Sequence, residues 1–483
     1  MRAKTKNKYS SPLAYSDYPS YRSELEKGSL SVVNEVERIL VKIDQSTHLN
    51  AFIEVFAADA RARASVIDQK IAHKTAGRLA GMVIALKDNL CLRDHKLSAS
   101  SKILEGFQSL FTGTAVERLL AEDAIIIGRT NCDEFAMGSS NLNSAFGPVL
   151  NPLDNTRVPG GSSGGSAAAL AAGLCHASLG SDTGGSIRQP ASFTGLWGLK
   201  PTYGRISRHG LIAYASSFDQ IGPFALNAID TALLLEIMAG KDDYDSTCSE
   251  QEVPSYSTLI ENTQENKRFA VFKSVLNHKG LDPAVHADFH QQIEQLKSKG
   301  HTVEEVNFDY LDYLVPIYYL LTTAEASSNL ARFDGVHYGF RDPNATEPEE
   351  VYKKSRTKGF GKEVKRRILL GTFVLSSGYY DAYYGNAQRA RRLVTDYVND
   401  LFKNFDFILS PTTPHEAFRL DRKDADPTVM YLEDIFTVLA NICGLPAISV
   451  PTGLGSSNMP LGTQLIGKAF SEAELIQTAR QLG

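Results

Sequence analysis

Two stretches crowded with serine and glycine stand out in this chain: Gly160-Gly161-Ser162-Ser163-Gly164-Gly165-Ser166 and Asp182-Thr183-Gly184-Gly185-Ser186-Ile187-Arg188-Gln189. Glycines clear side chains away so that backbone N–H groups can approach a developing negative charge, and serines place nucleophilic oxygens beside them. The combination points to acyl transfer. A serine hydroxyl attacks a carbonyl only when a neighbouring base takes its proton, and the histidine nearest to Ser186 in sequence is His176. A histidine from elsewhere in the chain stays open as the base. So does a lysine, if it is neutral, which requires its pKa to fall from about 10.4 through burial or a nearby cation. Lys87 ends the run Met82-Val83-Ile84-Ala85-Leu86, whose character is that of a buried strand leading into a dry setting.

Blander readings compete. A Gly/Ser-rich loop can cradle phosphate, but a Walker-type loop needs Gly-Lys-Ser/Thr, and no lysine follows here. Taken alone, Lys87 reads as a surface lysine at a strand end; its company reverses that reading. Lys200, ahead of Pro201, is the rival base, and Ser163 competes with Ser162 to relay a proton between base and nucleophile. A penicillin-binding type of enzyme is disfavoured, since Ser186 does not open a Ser-x-x-Lys motif.

The elements that must hold these residues alternate between helical and strand periods. Val32, Val33, Val36, Ile39, Leu40 and Ile43 recur at helical spacing, and 57–66 suggests a second helix. Short apolar runs at 82–86, 124–127, 269–272, 407–409 and 447–450 read as strands, with helices at 115–121, 284–296 and 387–402 between them. A further helix opens at Gly165-Ser166, its positive end towards the site. The interleaving implies an α/β fold: a mixed, mostly parallel central sheet covered by helices on both faces. Residues 1–483 are expected to form a single domain with a core at roughly 75–225 and a helix-rich excursion at roughly 240–400 outside the main sheet.

Composition sets limits. With 43% hydrophobic residues the chain can bury a substantial core, and a net charge of −5 gives no polybasic footprint for direct nucleic-acid binding. Cys91, Cys132, Cys175, Cys248 and Cys443 lack CxxC spacing, so they read as reduced core residues and not as zinc ligands or disulfides. His286 and His290 lack the adjoining glutamate of a zinc protease motif, and no metal site is expected. The first sixteen residues are basic but lack the apolar core of a secretory signal, with only Arg2 to suggest a transit peptide. No apolar run approaches about 18 residues, so no membrane span is expected and the cytoplasm is the expected location, or the mitochondrion if the source is eukaryotic.

The order and spacing of the pieces resemble the amidase signature family, which cleaves amides with a Ser-Ser-Lys triad. The likeness runs through 159–189, then Leu199-Lys200-Pro201-Thr202-Tyr203-Gly204-Arg205 and Ser217-Phe218-Asp219-Gln220-Ile221-Gly222-Pro223. It implies Lys87 as base, Ser162 as relay after a cis Gly161-Ser162 peptide, and Ser186 as nucleophile, with the amides of Thr183, Gly184, Gly185 and Ser186 as oxyanion hole. Residues 318–335, 359–368, 376–384 and 426–431 are similar to one branch of that family, the A subunits of bacterial glutamyl-tRNA(Gln)/aspartyl-tRNA(Asn) amidotransferases. That likeness implies glutamine hydrolysis, with Arg367 on the α-carboxylate, Asp434 on the α-ammonium and Tyr318 lining the pocket. It also implies B and C partner subunits, misacylated tRNA reached through the complex, and ATP and Mg2+ used by the B subunit, with no cofactor in this chain. A zwitterion needs one fixed cation and one fixed anion, and arginine grips a carboxylate with two parallel hydrogen bonds. Without the likeness, Arg367 in its Lys-Arg-Arg run reads as a solvated helix cation, Asp434 as a surface acid and Tyr318 as a core aromatic. A stand-alone amidase for other amides, or a non-enzymatic assembly factor, are the competing functions.

Overall fold

The computed structural model describes residues 13, 15–260, 265–422 and 430–482, and eleven strands within them form one sheet. In chain order they are Phe52–Val55 (β1), Val83–Lys87 (β2), Ile125–Thr130 (β3), Ala177–Asp182 (β4), Trp197–Lys200 (β5), Gln220–Ala225 (β6), Arg268–Phe272 (β7), Thr302–Val306 (β8), Phe407–Pro411 (β9), Ala447–Leu454 (β10) and Pro460–Gly467 (β11). Their order across the sheet is β1-β3-β2-β4-β6-β5-β10-β11-β9-β7-β8. Successive side chains of a strand point to opposite faces, and here each face feeds its own core. Phe269 and Val271 of β7 join one apolar cluster while Ala270 and Phe272 join the other; Leu465 and Ile466 of β11 divide the same way. Helices including Val32–Gln45, Ala57–Ala72 and Ala228–Met238 pack into the first cluster, and Leu311–Asn329 and Lys362–Val374 into the second.

The sheet is mixed, but the expected preponderance of parallel pairing needs correction. Four neighbouring pairs are parallel, β2–β3, β2–β4, β7–β8 and β7–β9. The other six are antiparallel and occupy the middle of the sheet and its first edge. The short link from β10 to β11 allows only a hairpin, because a parallel return needs a crossover of a dozen or more residues. The excursion at 240–400 is rich in helix, as expected, yet β7 and β8 within it extend the sheet to its far edge. The first twelve residues and Asp426–Val429 of the similar stretch 426–431 lie outside the described residues.

Three strands set the site. β2, β3 and β4 run parallel, so their carboxyl ends fall on one edge and deliver Lys87, the 131–134 turn and the 182–186 loop together. Such an edge is where open α/β sheets place their ligands. Every residue of β2 is buried, since both its edges pair with neighbouring strands and helices cover its faces.

Candidate active site

The Lys87 amine is fully buried and faces three hydroxyls: Nζ lies 2.7 Å from Ser162 Oγ, 3.0 Å from Ser163 Oγ and 2.9 Å from Ser181 Oγ, with the Ser181 carbonyl at 3.5 Å. Among the described residues no carboxylate forms an ion pair with it. Burial pushes this amine down to about 8, against a partial opposing pull from Cys132, Asp133 and Asp219. Ser162 is the nearer of the two adjacent serines, at 2.7 against 3.0 Å, and their other contacts also tell them apart. The Ser163 hydroxyl donates to the Ser181 carbonyl at 3.1 Å and accepts from the Ser181 N–H at 3.3 Å, so its proton is committed. The Ser162 hydroxyl touches only Lys87 among the described residues. It follows a cis Gly161-Ser162 peptide.

The two rival bases are placed elsewhere. Lys200 is as buried as Lys87, but among the described residues its amine reaches only the Pro201 carbonyl, at 2.9 Å. His176 accepts from the Val83 N–H at 3.1 Å through Nδ1 and meets Glu35 at 2.9 Å through Nε2. Val83 is four residues back along β2 from Lys87, about 13 Å at the usual strand rise.

Ser186 is 8% exposed, against 0% for Lys87 and Ser162, so the expected nucleophile is the most exposed of the three. Its carbonyl accepts from the Ser163 N–H at 3.3 Å, which brings the two serine loops into contact. Its hydroxyl forms no hydrogen bond among the described residues, so the Ser162-to-Ser186 link of a relay is not closed in this state. The loop around it is held by a buried ion pair: Asp182 meets Arg188 Nε and Nη2 at 3.1 Å each, with both side chains at 0% exposure. Burial pushes the Asp182 carboxyl up, but Arg188, Lys200 and Asn441 outweigh it and hold it at about 2.

The same carboxylate narrows the expected oxyanion donors. Gly185 donates its N–H to Asp182 Oδ1 at 2.8 Å, which removes it from the set. The N–H groups of Thr183, Gly184 and Ser186 have no acceptor among the described residues and are free for an oxyanion. Gly185 sits at φ +132, and a Cβ there would fall 2.3 Å from Thr437 Oγ1, so only glycine fits. Gly184 is pressed by the Tyr318 ring, 2.5 Å from where its Cβ would be.

Arg367 and Asp434 come to the same place from distant elements. Arg367, on Lys362–Val374, is buried beneath Tyr214, Tyr319 and Tyr431, whose ring centres lie 5.6, 5.1 and 5.7 Å from the guanidinium carbon. Its Nε meets Glu363 Oε1 at 2.9 Å and its Nη1 donates to the Tyr214 hydroxyl at 2.9 Å, leaving Nη2 without a hydrogen bond among the described residues. Asp434 accepts from the Ser139 hydroxyl at 2.9 and 3.0 Å and from the Tyr319 hydroxyl at 3.3 Å. Burial pushes its carboxyl up to about 7, in spite of Ser139 and the nearby Arg367 charge. Two links join this pair to the serine loop. The Thr437 hydroxyl donates to the Gly184 carbonyl at 2.6 Å and to the Asp434 carbonyl at 3.0 Å. On the other side Asp219 accepts from the Thr183 hydroxyl at 2.6 Å and from the Tyr214 N–H at 2.9 Å.

The sequence profile described as Amidase matches residues 34–476. The chain belongs to the amidase family. Among its relatives, the A subunit of the glutamyl-tRNA(Gln) amidotransferase of Chlorobium phaeobacteroides is 50% identical over 467 residues, 96% of this chain and 98% of that protein. The protein of the same name from Koribacter versatilis is 52% identical over 433 residues, 89% of this chain and 90% of that protein. The crystal structure of the corresponding A subunit of Thermotoga maritima glutamyl-tRNA(Gln) amidotransferase superposes with a TM-score of 0.77 at 38% identity, covering 96% of this chain and 91% of that one.

Within this amidase site, sequence reasoning missed Ser139, Ser181, Tyr214, Asp219, Tyr319 and Thr437. Ser139, Tyr214 and Thr437 lie outside the quoted stretches, as lone hydroxyls and a ring with no spacing signal, and Ser181 and Tyr319 lie inside them without one. Asp219 lies inside a quoted stretch, but nothing there announces its bond to Thr183. No helix among the described residues is long and apolar enough to cross a membrane, and no group of three or more His, Cys, Asp or Glu side chains among them is arranged to hold a metal ion.

Proposed function

We propose that this amidase hydrolyses glutamine and is the ammonia-producing subunit of a tRNA-dependent amidotransferase, as the names of its relatives indicate. One observation favours glutamine over other amides: a buried cation and a buried acid are both linked to the serine loop, Asp434 through two contacts and Arg367 through three. Arg367 Nη2 receives the α-carboxylate and Asp434 the α-ammonium, so the side-chain amide of glutamine extends towards Ser186. A simple aliphatic amide has no use for either charge.

In this reading neutral Lys87 takes the Ser162 proton as Ser162 takes that of Ser186, and Ser186 Oγ bonds to the amide carbon. The N–H groups of Thr183, Gly184 and Ser186 meet the oxyanion; each such donor is worth roughly 3–4 kcal/mol of barrier. As the C–N bond breaks, the Lys87 proton returns through Ser162 to the leaving nitrogen, which departs as ammonia. Water, deprotonated along the same route, then cleaves the Ser186 ester and glutamate leaves. In the complex with B and C subunits, ammonia passes to the B subunit, where an ATP- and Mg2+-dependent step would activate the carboxylate borne by misacylated tRNA. The test is Ser186→Ala in the full complex: glutamine-dependent amidation of Glu-tRNA(Gln) is lost while ammonia-dependent amidation persists. Equal loss of both would overturn the assignment.

A further inference from the structure

Glu134 takes no part in the steps above, yet its carboxylate is 3% exposed and spent on the helix that carries Arg367. Gly361, which caps Lys362–Val374, donates its N–H to Glu134 Oε2 at 2.8 Å and to Oε1 at 3.1 Å. The Ser101 hydroxyl also donates to this carboxylate and lies 3.3 Å from the Gly359 carbonyl. A carboxylate suits this place, because the first N–H groups of a helix lack partners and its dipole is positive there. Beside it the rings of Phe135 and Phe360 meet at 5.6 Å.

The preceding residue turns to the catalytic loop. Asp133 donates its N–H to the Ser162 carbonyl at 3.1 Å, and its carboxylate accepts from the N–H groups of Asn141 and Asn143 at 2.8 and 3.0 Å. Two consecutive residues thus hold the loop of the relay serine and the start of the Arg367 helix. Gly361 gives independent evidence that this contact is fitted. Its φ of −69 suits any residue, so its lack of a side chain serves space alone, and a Cβ would fall 2.2 Å from Glu134 Oε2.

We propose that Glu134 is a positioning residue that fixes the placement of the Arg367 carboxylate clamp relative to Ser186 by tying the N-terminus of the clamp helix to the catalytic loop. This rests on the glutamine reading above. Arg367 lies six residues beyond Gly361, about 9 Å along the helix, so a shift at the cap is carried to the guanidinium. The charge pair Arg367–Asp434 then grips glutamine with its amide carbon out of line.

The experiment uses the full chain in its amidotransferase complex and follows ammonia release from glutamine and from propionamide, with fluorophosphonate labelling of Ser186 as a second readout. Glu134→Ala and Gly361→Ala are expected to raise the glutamine KM about 10- to 100-fold, the scale of a misplacement near 1 Å. Propionamide kcat/KM and the Ser186 labelling rate stay unchanged, and Glu134→Gln, which keeps an acceptor for the Gly361 N–H, recovers most of the loss. Gly361→Ala leaves the acid in place, so it decides the matter if Glu134→Ala fails to fold. Parallel losses on glutamine, propionamide and labelling would mean a merely structural residue and overturn the proposal. Arg367→Lys is measured alongside. If it raises the glutamine KM and the Glu134 and Gly361 variants do not, the tether alone is wrong; if it does not, the glutamine clamp and the tether fall together.

Discussion

Titration from pH 6 to 9 separates a lysine base from a histidine base at this site. Burial pushes the Lys87 amine from an ordinary 10.5 to about 8. At pH 7 about one molecule in ten then carries it neutral, against about one in three thousand for an unshifted lysine, a gain of about 300-fold in active base. For propionamide, kcat/KM should climb about tenfold per pH unit below pH 8 and level off above it. Glutamine adds a second proton to the account. Asp434, pushed up to about 7 by burial, must be ionised to receive the α-ammonium. Both groups act deprotonated, so acid removes each in turn, and below pH 7 the glutamine profile steepens towards a hundredfold per unit. On the alkaline side the substrate's own ammonium loses its charge and binding declines. Asp434→Asn should return the acid limb to a one-proton slope with a higher KM throughout. Initial rates of ammonia release suffice as the assay. A propionamide midpoint near 6.5, the ordinary histidine value, or a profile flat below pH 8, would refute the lysine base.

Two further substitutions test the surroundings of the site. Burial, and then Arg188, push the Lys200 amine down to about 7, closer to neutrality than Lys87. Lys200→Met should nonetheless leave the acid limb of the propionamide profile in place, whereas Lys87→Met should slow Ser186 acylation about 10²- to 10⁴-fold; the reverse result would exchange their roles. Asp182→Asn strands the Arg188 cation at 0% exposure and should cost about 3–5 kcal/mol of stability, read as a lower urea midpoint at unchanged slope. An unmoved midpoint would show that the pair is not what holds the nucleophile loop.

How much of this was legible in the sequence varies with the physical signal each element carries. β2 and β3 announce themselves as aliphatic runs, and Pro283–Ser298 and Asn386–Leu401 as helical periods within two residues of the expected bounds. β4 is Ala-Ser-Leu-Gly-Ser-Asp, buried throughout without a β-branched residue, and β6 contains Gly222 and Pro223, so neither shows a strand pattern. With them went two of the six antiparallel pairings, β4–β6 and β5–β6. Arg367 is illegible for a different reason. In Lys365-Arg366-Arg367 each residue is turned about 100° from the last, and only the third falls on the inner face beneath three tyrosines. Composition reads that run as solvated charge. Gly185 matched the oxyanion motif as well as its neighbours did, because a motif cannot report that Asp182 reaches forward to take that N–H.

Perturbed basicity does not by itself identify a base here, since Lys200 is shifted further than Lys87. What distinguishes Lys87 is the company of its amine. The acids around it are satisfied elsewhere: Asp88 by Arg129 at 2.6 Å and the Ser100 N–H at 2.8 Å, Asp133 by Asn141 and Asn143, Asp219 by Thr183 and Tyr214, and Asp182 by Arg188. A carboxylate within hydrogen-bonding reach would hold the amine as ammonium and end its use as a base. The serines do the opposite. Three hydroxyls surround the amine without bringing a charge to it, and one of them, on Ser162, is left with no other partner among the described residues. The same logic extends to the clamp. Asp434 is buried beside Arg367 yet forms no ion pair with it among the described residues, which in the proposed reading leaves each for one end of a zwitterion. A direct Arg367–Asp434 salt bridge would satisfy both charges and leave glutamine nothing to displace cheaply. Keeping opposite charges near but apart, and a base near acids but out of their reach, is the common physical device of this site.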